Sequence, residues 1–158
     1  MKQIIGLSAL FALADQAIKT LIRSRPEGTV FGVWPHWVEI THCKNTGAAF
    51  SLLDGHPQLV TLLTALLLLV LAAAVFRRLH LTRPARFAVS ALLGGGFGNL
   101  ADRLFFGAVT DYIRLLPIRF PVFNLADVLI TLSVALLMLL LLTGKLEVPS
   151  GETHEQYP

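Results

Sequence analysis

Residues 59–76 form an apolar run without a charged side chain, and this run most constrains what the chain can fold into. A bilayer core about 30 Å thick is crossed by a helix of roughly 20 apolar residues, so the run can span a membrane. Residues 128–142 form a second such run, built mostly of Leu, Val and Ala. Only 15% of the 158 residues are charged, against about 25% in soluble proteins. The sequence therefore predicts a multi-spanning membrane protein.

Two further stretches are long enough to span, although polar residues interrupt them. We predict an all-α membrane protein with a single domain over residues 1–145 and four transmembrane helices, at 4–22, 59–76, 88–106 and 125–143. The first stretch has an alternative, the apolar region of a cleaved signal peptide. That alternative is disfavoured because only Lys2 precedes the run and no small-x-small cleavage site follows it.

The placement of arginines predicts the orientation in the membrane. The link between the second and third spans carries no acidic residue and four arginines, Arg77, Arg78, Arg83 and Arg86. Short loops rich in Lys and Arg stay in the cytoplasm. We therefore expect both termini inside and residues 23–57 and 107–123 at the outer face of the membrane.

The long outer segment is predicted to be partly extended. Residues 29–34 and 38–42 are rich in β-branched and aromatic side chains, with Pro35 and His36 between them as a turn. We expect a small extracytoplasmic β-sheet cradle within residues 26–57, between the first two spans. The polar tail, 146–158, has no periodicity and is expected to be disordered.

Several functional classes are disfavoured by the polar residues. The five histidines fall in no metal-ligand spacing, so a metal site is not expected. The basic residues form no aromatic-interleaved groove, which argues against nucleic acid as a partner. The single cysteine, Cys43, cannot form an internal disulfide and has no evident role.

Four charged residues are predicted to lie inside the membrane. Asp15 and Lys19 are spaced i and i+4, so they share a helix face and can form a buried ion pair. Lys19 could instead meet a phosphate or act as the base of a Ser-Lys hydrolase, with Ser51, Ser90 or Ser133 available. Asp102 and Arg103 are interpreted as a scaffolding pair beside Asn99, although Arg103 could also bind a lipid headgroup.

Asp111 and Asp127 stand apart from these scaffolding candidates. Asp111 follows the third span and Asp127 lies in the first turn of the fourth, so antiparallel helices bring both to one depth near the outer surface. Asp127 alone could simply stabilise the helix dipole. Two crowded carboxylates would instead share one proton, and such a pair can hydrolyse a peptide bond by general acid–base catalysis.

The segment from Lys44 to Ser51 is the last group of candidate site residues. Its Gly and Ala residues allow close backbone approach and the Asn45 amide can donate and accept hydrogen bonds, although a plain surface turn is equally compatible.

Read in order, these segments resemble the lipoprotein signal peptidase family, the type II signal peptidases of bacteria. The matching motifs are Asp15-Gln16-x-x-Lys19, Asn45-x-Gly47-Ala48-Ala49-Phe50-Ser51, Gly98-Asn99-x-x-Asp102-Arg103, Val109-x-Asp111-Tyr112-Ile113 and Phe123-Asn124-x-Ala126-Asp127.

The resemblance implies an aspartic endopeptidase of the bacterial inner membrane, with its active site near the outer face and without a cofactor. Such an enzyme removes the signal peptide of a diacylglyceryl-modified prolipoprotein just before its lipidated cysteine, works as a monomer among membrane lipids, and is blocked by globomycin-type inhibitors. Asp111 and Asp127 match the catalytic dyad of the family. The substrate-binding positions match Asn45, Gly47, Asn99, Arg103 and Asn124, and the supporting positions match Asp15, Lys19 and Asp102.

Two other classes remain as alternatives. Four spans with buried carboxylates could form a proton-coupled transporter, but such sites usually lie at the midplane between repeats, and no repeat is visible here. A structural or assembly protein would leave the two aspartates unexplained.

Overall fold

The computed structural model describes residues 1–47, 56–76 and 80–147. Four long helices and three strands follow one another in the described chain. In order they are α1 (Lys2–Arg23), β1 (Val30–Trp34), β2 (Val38–Asn45), α2 (Pro57–Phe76), α3 (Arg83–Phe106), β3 (Val109–Leu115) and α4 (Leu125–Leu142).

Helices α1, α2 and α4 are long and apolar enough to cross a membrane, as judged over the described residues. Their outer faces expose many large apolar side chains, including Leu66, Leu67 and Leu132, as expected of helices that face lipid. Helix α3 has 24 residues, but it is not among the helices that are apolar enough to cross a membrane, since polar residues lie toward its end. The fourth span therefore remains a prediction that rests on the length and position of α3.

A run of glycines lets three helices pack closely against α3. A Cβ atom on Gly94 would lie 2.6 Å from Phe11 Cβ of α1, and one on Gly95 would lie 2.7 Å from the carbonyl oxygen of Ala126 at the start of α4. A Cβ atom on Gly96 would lie 2.5 Å from Leu68 Cδ2 of α2. A side chain at Gly94 or Gly95 would push α3 away from α1 or α4, whereas the Leu68 side chain beside Gly96 can rotate away. Helix α3 is therefore the centre of the bundle.

The sheet has three antiparallel strands in the order β1-β2-β3, one more than the sequence indicated. The two expected strands pair around a turn in which Trp37 N–H donates to the Trp34 carbonyl at 3.0 Å. The unforeseen strand, β3, comes from the segment after α3 and pairs with β2 so that Cys43 faces Asp111. The sheet is therefore not confined to residues 26–57, and its third strand ties the outer segment to the end of α3.

Two expected features fall wholly or partly outside the described residues. Residues 48–51, which complete the motif that begins at Asn45, are among the residues not described, and so are 148–158 of the predicted tail. The first tail residues do pack on the bundle, since Glu147 pairs with Leu81 and the Leu146 carbonyl accepts from Thr82 N–H at 3.1 Å.

Candidate active site

Asp111 and Asp127 lie at one end of the bundle, on different elements. Asp111 is on β3 and is 1% exposed. Asp127 is the third residue of α4 and is half-buried. The positions of these two carboxyl groups therefore depend on how β3 pairs with β2 and on where α4 begins.

Asn124 connects the two aspartates. Its side-chain oxygen accepts from the Asp127 backbone N–H at 3.0 Å, and the Asp127 carboxylate accepts from the Asn124 backbone N–H at 3.2 Å, which together form a capping box. The Asn124 amide nitrogen donates to Asp111 at 2.6 Å. One fully buried side chain thus fixes the helix start and orients Asp111.

Two more asparagines also donate hydrogen bonds to the aspartates. Asn45 on β2 donates to the second Asp111 oxygen at 2.9 Å, and Asn99 on α3 donates to Asp127 at 2.8 Å. The side-chain oxygen of Asn99 in turn accepts from Lys19 at 2.7 Å. Amide donors orient carboxyl groups without adding a positive charge, so these asparagines fix the positions of the two aspartates without forming ion pairs with them.

The charge of Asp127 acts on Asp111. Burial, as the larger cause, and the nearby negative charge of Asp127 together raise the pKa of the Asp111 carboxyl from its usual value to about 7. The hydrogen bonds from Asn45 and Asn124 oppose this rise because they favour the carboxylate. Near neutral pH, Asp111 is therefore partly protonated, as the shared-proton hypothesis requires.

The buried cation Lys19 is held by several groups beneath the aspartates. Its Nζ lies 2.8 Å from Asp15, which confirms the predicted i,i+4 pair, and 3.6 Å from Asp102. All three side chains are fully buried. Asp15 also accepts from the Ala126 backbone N–H at 3.1 Å. This pair therefore links α1 to the first turn of α4, which carries Asp127.

The expected pair of Asp102 with Arg103 is wrong. Asp102 instead binds Arg23 at 2.8 Å, Gln16 at 2.8 Å and the Thr110 backbone N–H at 2.8 Å. Arg103 donates to the Gly47 carbonyl at 3.1 Å. Adjacent residues of a helix point about 100° apart, so consecutive positions on α3 cannot face the same partner.

Arg23, Gln16 and Tyr112 were missed as contributors to the site. Gln16, Lys19 and Arg23 are spaced i, i+3 and i+7 on α1, a pattern that marks one helix face and could have identified them. The predicted first span ends at residue 22, so it leaves Arg23 outside the helix and conceals this pattern. The Tyr112 hydroxyl accepts from the Leu125 backbone N–H at 3.1 Å, and its burial raises its pKa to about 12. Nothing in the sequence signalled that contact.

Ser90, one of the serine alternatives, does not reach Lys19. Ser90 donates to the Arg86 carbonyl at 2.7 Å, nine residues before the Asn99 that Lys19 contacts, which is about 13 Å along the helix axis. Ser51 lies outside the described residues. In the described chain no group of three or more His, Cys, Asp or Glu side chains could hold a metal ion.

A cavity of about 520 Å³ opens beside Asp127. Its polar lining consists of Asn45, Arg103, Asp127 and Thr131, while Asp111 does not line it. The rest of the wall is apolar and comes from the segment before α4 and the first turns of that helix: Leu115, Phe120, Pro121, Val122, Phe123, Val128, Ile130 and Leu132. The site therefore combines the partly exposed carboxylate of Asp127 with an apolar surface suited to a lipid-bearing or apolar ligand.

Comparisons with known proteins agree with this geometry. Residues 7–143 match the family model described as signal peptidase (SPase) II. A lipoprotein signal peptidase of Parasynechococcus marenigrum is 40% identical over 134 residues, with 83% of each chain covered. That of Staphylococcus aureus is 33% identical over 148 residues, which cover 89% of this chain and 91% of the relative.

Two solved structures of bacterial membrane enzymes have a similar fold. A bacterial membrane enzyme determined by the in meso method at 2.3 Å is 28% identical, with a TM-score of 0.83 over 100% of this chain and 96% of the other. A second, at 1.9 Å, is 30% identical with a TM-score of 0.79, over 90% of this chain and 94% of the other. The resemblance found in the motifs is confirmed, and the chain belongs to the signal peptidase II family.

Proposed function

We propose that this protein is an aspartic endopeptidase that cleaves the signal peptide from diacylglyceryl-modified prolipoproteins just before the lipidated cysteine. The observation that carries the proposal is the Asp111–Asn124–Asp127 arrangement, in which one buried amide connects two carboxyl groups beside an apolar cavity. The names of the relatives support the substrate class.

Asp127 is assigned as the general base. It is the aspartate of the pair that lines the cavity, so a water molecule there can reach its carboxylate. Asn99 and the Asn124 backbone N–H hold the carboxylate in place. Asp127 takes a proton from this water as the oxygen attacks the carbonyl carbon of the scissile peptide bond.

Asp111 is assigned as the acid. Its pKa of about 7 leaves it partly protonated near neutrality, so it donates a hydrogen bond to the carbonyl oxygen as negative charge develops there. In the second step the carbon–nitrogen bond breaks and the leaving amine takes the proton from Asp127. Asp111 keeps its proton throughout, and Asp127 returns to the carboxylate, so both groups end in their starting states.

The remaining residues are assigned to binding and support. Asn45 and Arg103 line the cavity, where they can contact the peptide, with Gly47, Asn99 and Asn124 next to them. The apolar wall from Phe120 to Leu132 is assigned to the acyl chains of the substrate. Asp15, Lys19 and Asp102 hold α1, α3 and the start of α4 in register.

A cleavage assay tests the proposal. Purified protein is incubated with a diacylglyceryl prolipoprotein and with the same precursor lacking the lipid, and the product is followed by gel shift. Asp111→Asn and Asp127→Asn should each lower kcat by about 10²–10⁴-fold, the usual contribution of acid–base catalysis. Glu39→Gln is the matched control, since its partner Arg114 lies on the sheet at 2.7 Å. Normal cleavage by either aspartate variant would show that the assignment is wrong.

A further inference from the structure

A second cavity lies at the end of the bundle opposite the two aspartates. It has a volume of about 740 Å³ and lies between the first turns of α1 and α3. We name it the basic cavity, and its lining residues are Gln3, Ile4, Gly6, Leu7, Arg83, Arg86, Phe87 and Ser90. None of its lining residues is assigned a part in the proposed reaction.

The positive charge of the basic cavity is not compensated. Neither Arg83 nor Arg86 forms an ion pair with any residue in the ranges 1–47, 56–76 and 80–147. The Nε atom of Arg86 is buried and has no hydrogen-bond partner there. Glu147 lies at this end of the bundle through its pairing with Leu81, but no ion pair joins it to either arginine. A buried guanidinium nitrogen without a partner is costly, and an anion would satisfy it.

The remaining walls of the basic cavity are mostly apolar. Ile4, Leu7 and Phe87 form an apolar side, and Phe87 is 52% exposed at the surface. A Cβ atom added to Gly6 would meet nothing within 4 Å, so the cavity has open space beside α1. Two cations and an apolar wall at a helix end match one molecule that carries both an anionic headgroup and an acyl chain.

We propose that the basic cavity binds an anionic phospholipid from the leaflet at this end of the bundle. The guanidinium groups of Arg83 and Arg86 hold the phosphate through paired N–H donors, and the first acyl carbons lie against Ile4, Leu7 and Phe87. The bound lipid bridges the starts of α1 and α3, away from the aspartates. This inference needs only the membrane location of the chain and is independent of the proposed chemistry.

Native mass spectrometry of the detergent-purified protein tests the inference. The protein is titrated with phosphatidylglycerol and, separately, with phosphatidylcholine of the same acyl chains. Wild-type protein should retain the anionic lipid in preference, and the double variant Arg83→Gln/Arg86→Gln should bind it at least about tenfold more weakly, because both charges at the phosphate are gone. Lys145→Gln is the matched control, since it removes a cation just beyond the end of α4 without touching the cavity.

A second variant keeps the inference testable if the double variant does not fold. Gly6→Leu fills the open space while both arginines remain, so it should also displace the lipid, and thermal melting in detergent verifies that it is folded. Unchanged retention of phosphatidylglycerol by either folded variant would overturn the proposal. Equal retention of the two lipids by wild type would do so as well. Competition by glycerol phosphate at the same concentration as the lipid would identify a site for free phosphate instead.

Discussion

At the scale of single residues, the pKa of Asp111 connects structure to activity. The carboxyl must carry its proton to act as the acid, and its pKa is about 7. Activity should therefore fall as the pH rises above about 7, and it should also fall in acid when the base takes up a proton, giving a bell-shaped profile.

Asn45 offers a specific test of the alkaline side of that profile. Its amide donates to Asp111 at 2.9 Å and favours the ionised carboxylate. In Asn45→Ala the pKa of Asp111 should rise further, so the fall in kcat/KM moves to higher pH even if the maximum rate is lower. The measurement is kcat/KM between pH 5 and 10 for both proteins. Identical alkaline limbs would contradict the assignment of Asp111 as the acid.

Burial of Asp111 should also cost stability in a pH-dependent way. Below about pH 4 the carboxyl is protonated in both the folded and the unfolded chain. As the pH rises to about 7, the unfolded chain loses this proton while the folded protein keeps it, so the folded protein becomes less stable.

Asp111→Asn should therefore be inactive yet more stable at pH 8. The gain in the free energy of unfolding is expected to be about 1–3 kcal/mol. This is below the roughly 4 kcal/mol that the full pKa difference would give, because an amide cannot accept from two donors as a carboxylate does. Thermal melting in detergent at pH 8 and pH 4 measures it. The gain should disappear at pH 4, and a difference that is the same at both values would count against this account.

At the scale of elements, α3 organises the bundle through glycines that differ in what they contact. Gly95 lies against the backbone of α4, where the nearest atom to an added Cβ is the Ala126 carbonyl oxygen. That atom belongs to the first turn of α4, one residue before Asp127, so the spacing of the two helices also sets the position of the carboxylate that we propose as the base.

Gly95→Ala should consequently reduce both stability and activity. A backbone atom cannot rotate away as a side chain can, so the helices must separate, at a cost of about 1–3 kcal/mol. Gly6→Ala is the control, because α1 has open space there and alanine favours the helix by about 1 kcal/mol. Melting temperature and cleavage rate are compared for both variants. A Gly95→Ala protein as stable and active as wild type would show that the contact tolerates expansion.

At the scale of the whole molecule, the orientation in the membrane can be tested with the single native cysteine. Cys43 lies half-buried on β2, opposite Asp111. If the aspartates face the outside, a membrane-impermeant maleimide should label Cys43 in intact spheroplasts. Burial raises the pKa of the thiol, so labelling should be slow at pH 7 and faster at pH 9, because the thiolate is the reactive form.

The opposite end of the molecule provides the control for this topology. In Cys43→Ser with Lys145→Cys, labelling should require permeabilised cells, because Lys145 follows the end of α4. Labelling of this Cys43→Ser/Lys145→Cys variant in intact spheroplasts would invert the predicted orientation.

Much of this protein is determined by sequence alone, because local chemistry is sufficient for it. The apolar runs give α1, α2 and α4, since a bilayer accepts only segments that satisfy their own backbone hydrogen bonds. The i,i+4 spacing gives the Asp15–Lys19 pair, and ordered motifs give the family.

Tertiary structure alone decided which distant groups meet. The strand β3, the partners of Asp102 and the connection of Asp111 to Asp127 through Asn124 all join residues from different elements. Spacing along the chain cannot encode such contacts, because they depend on how helices cross and on which strand edge is free. The two aspartates could be placed near one face from the sequence. Their shared amide and the raised pKa of Asp111 required the fold that buries them.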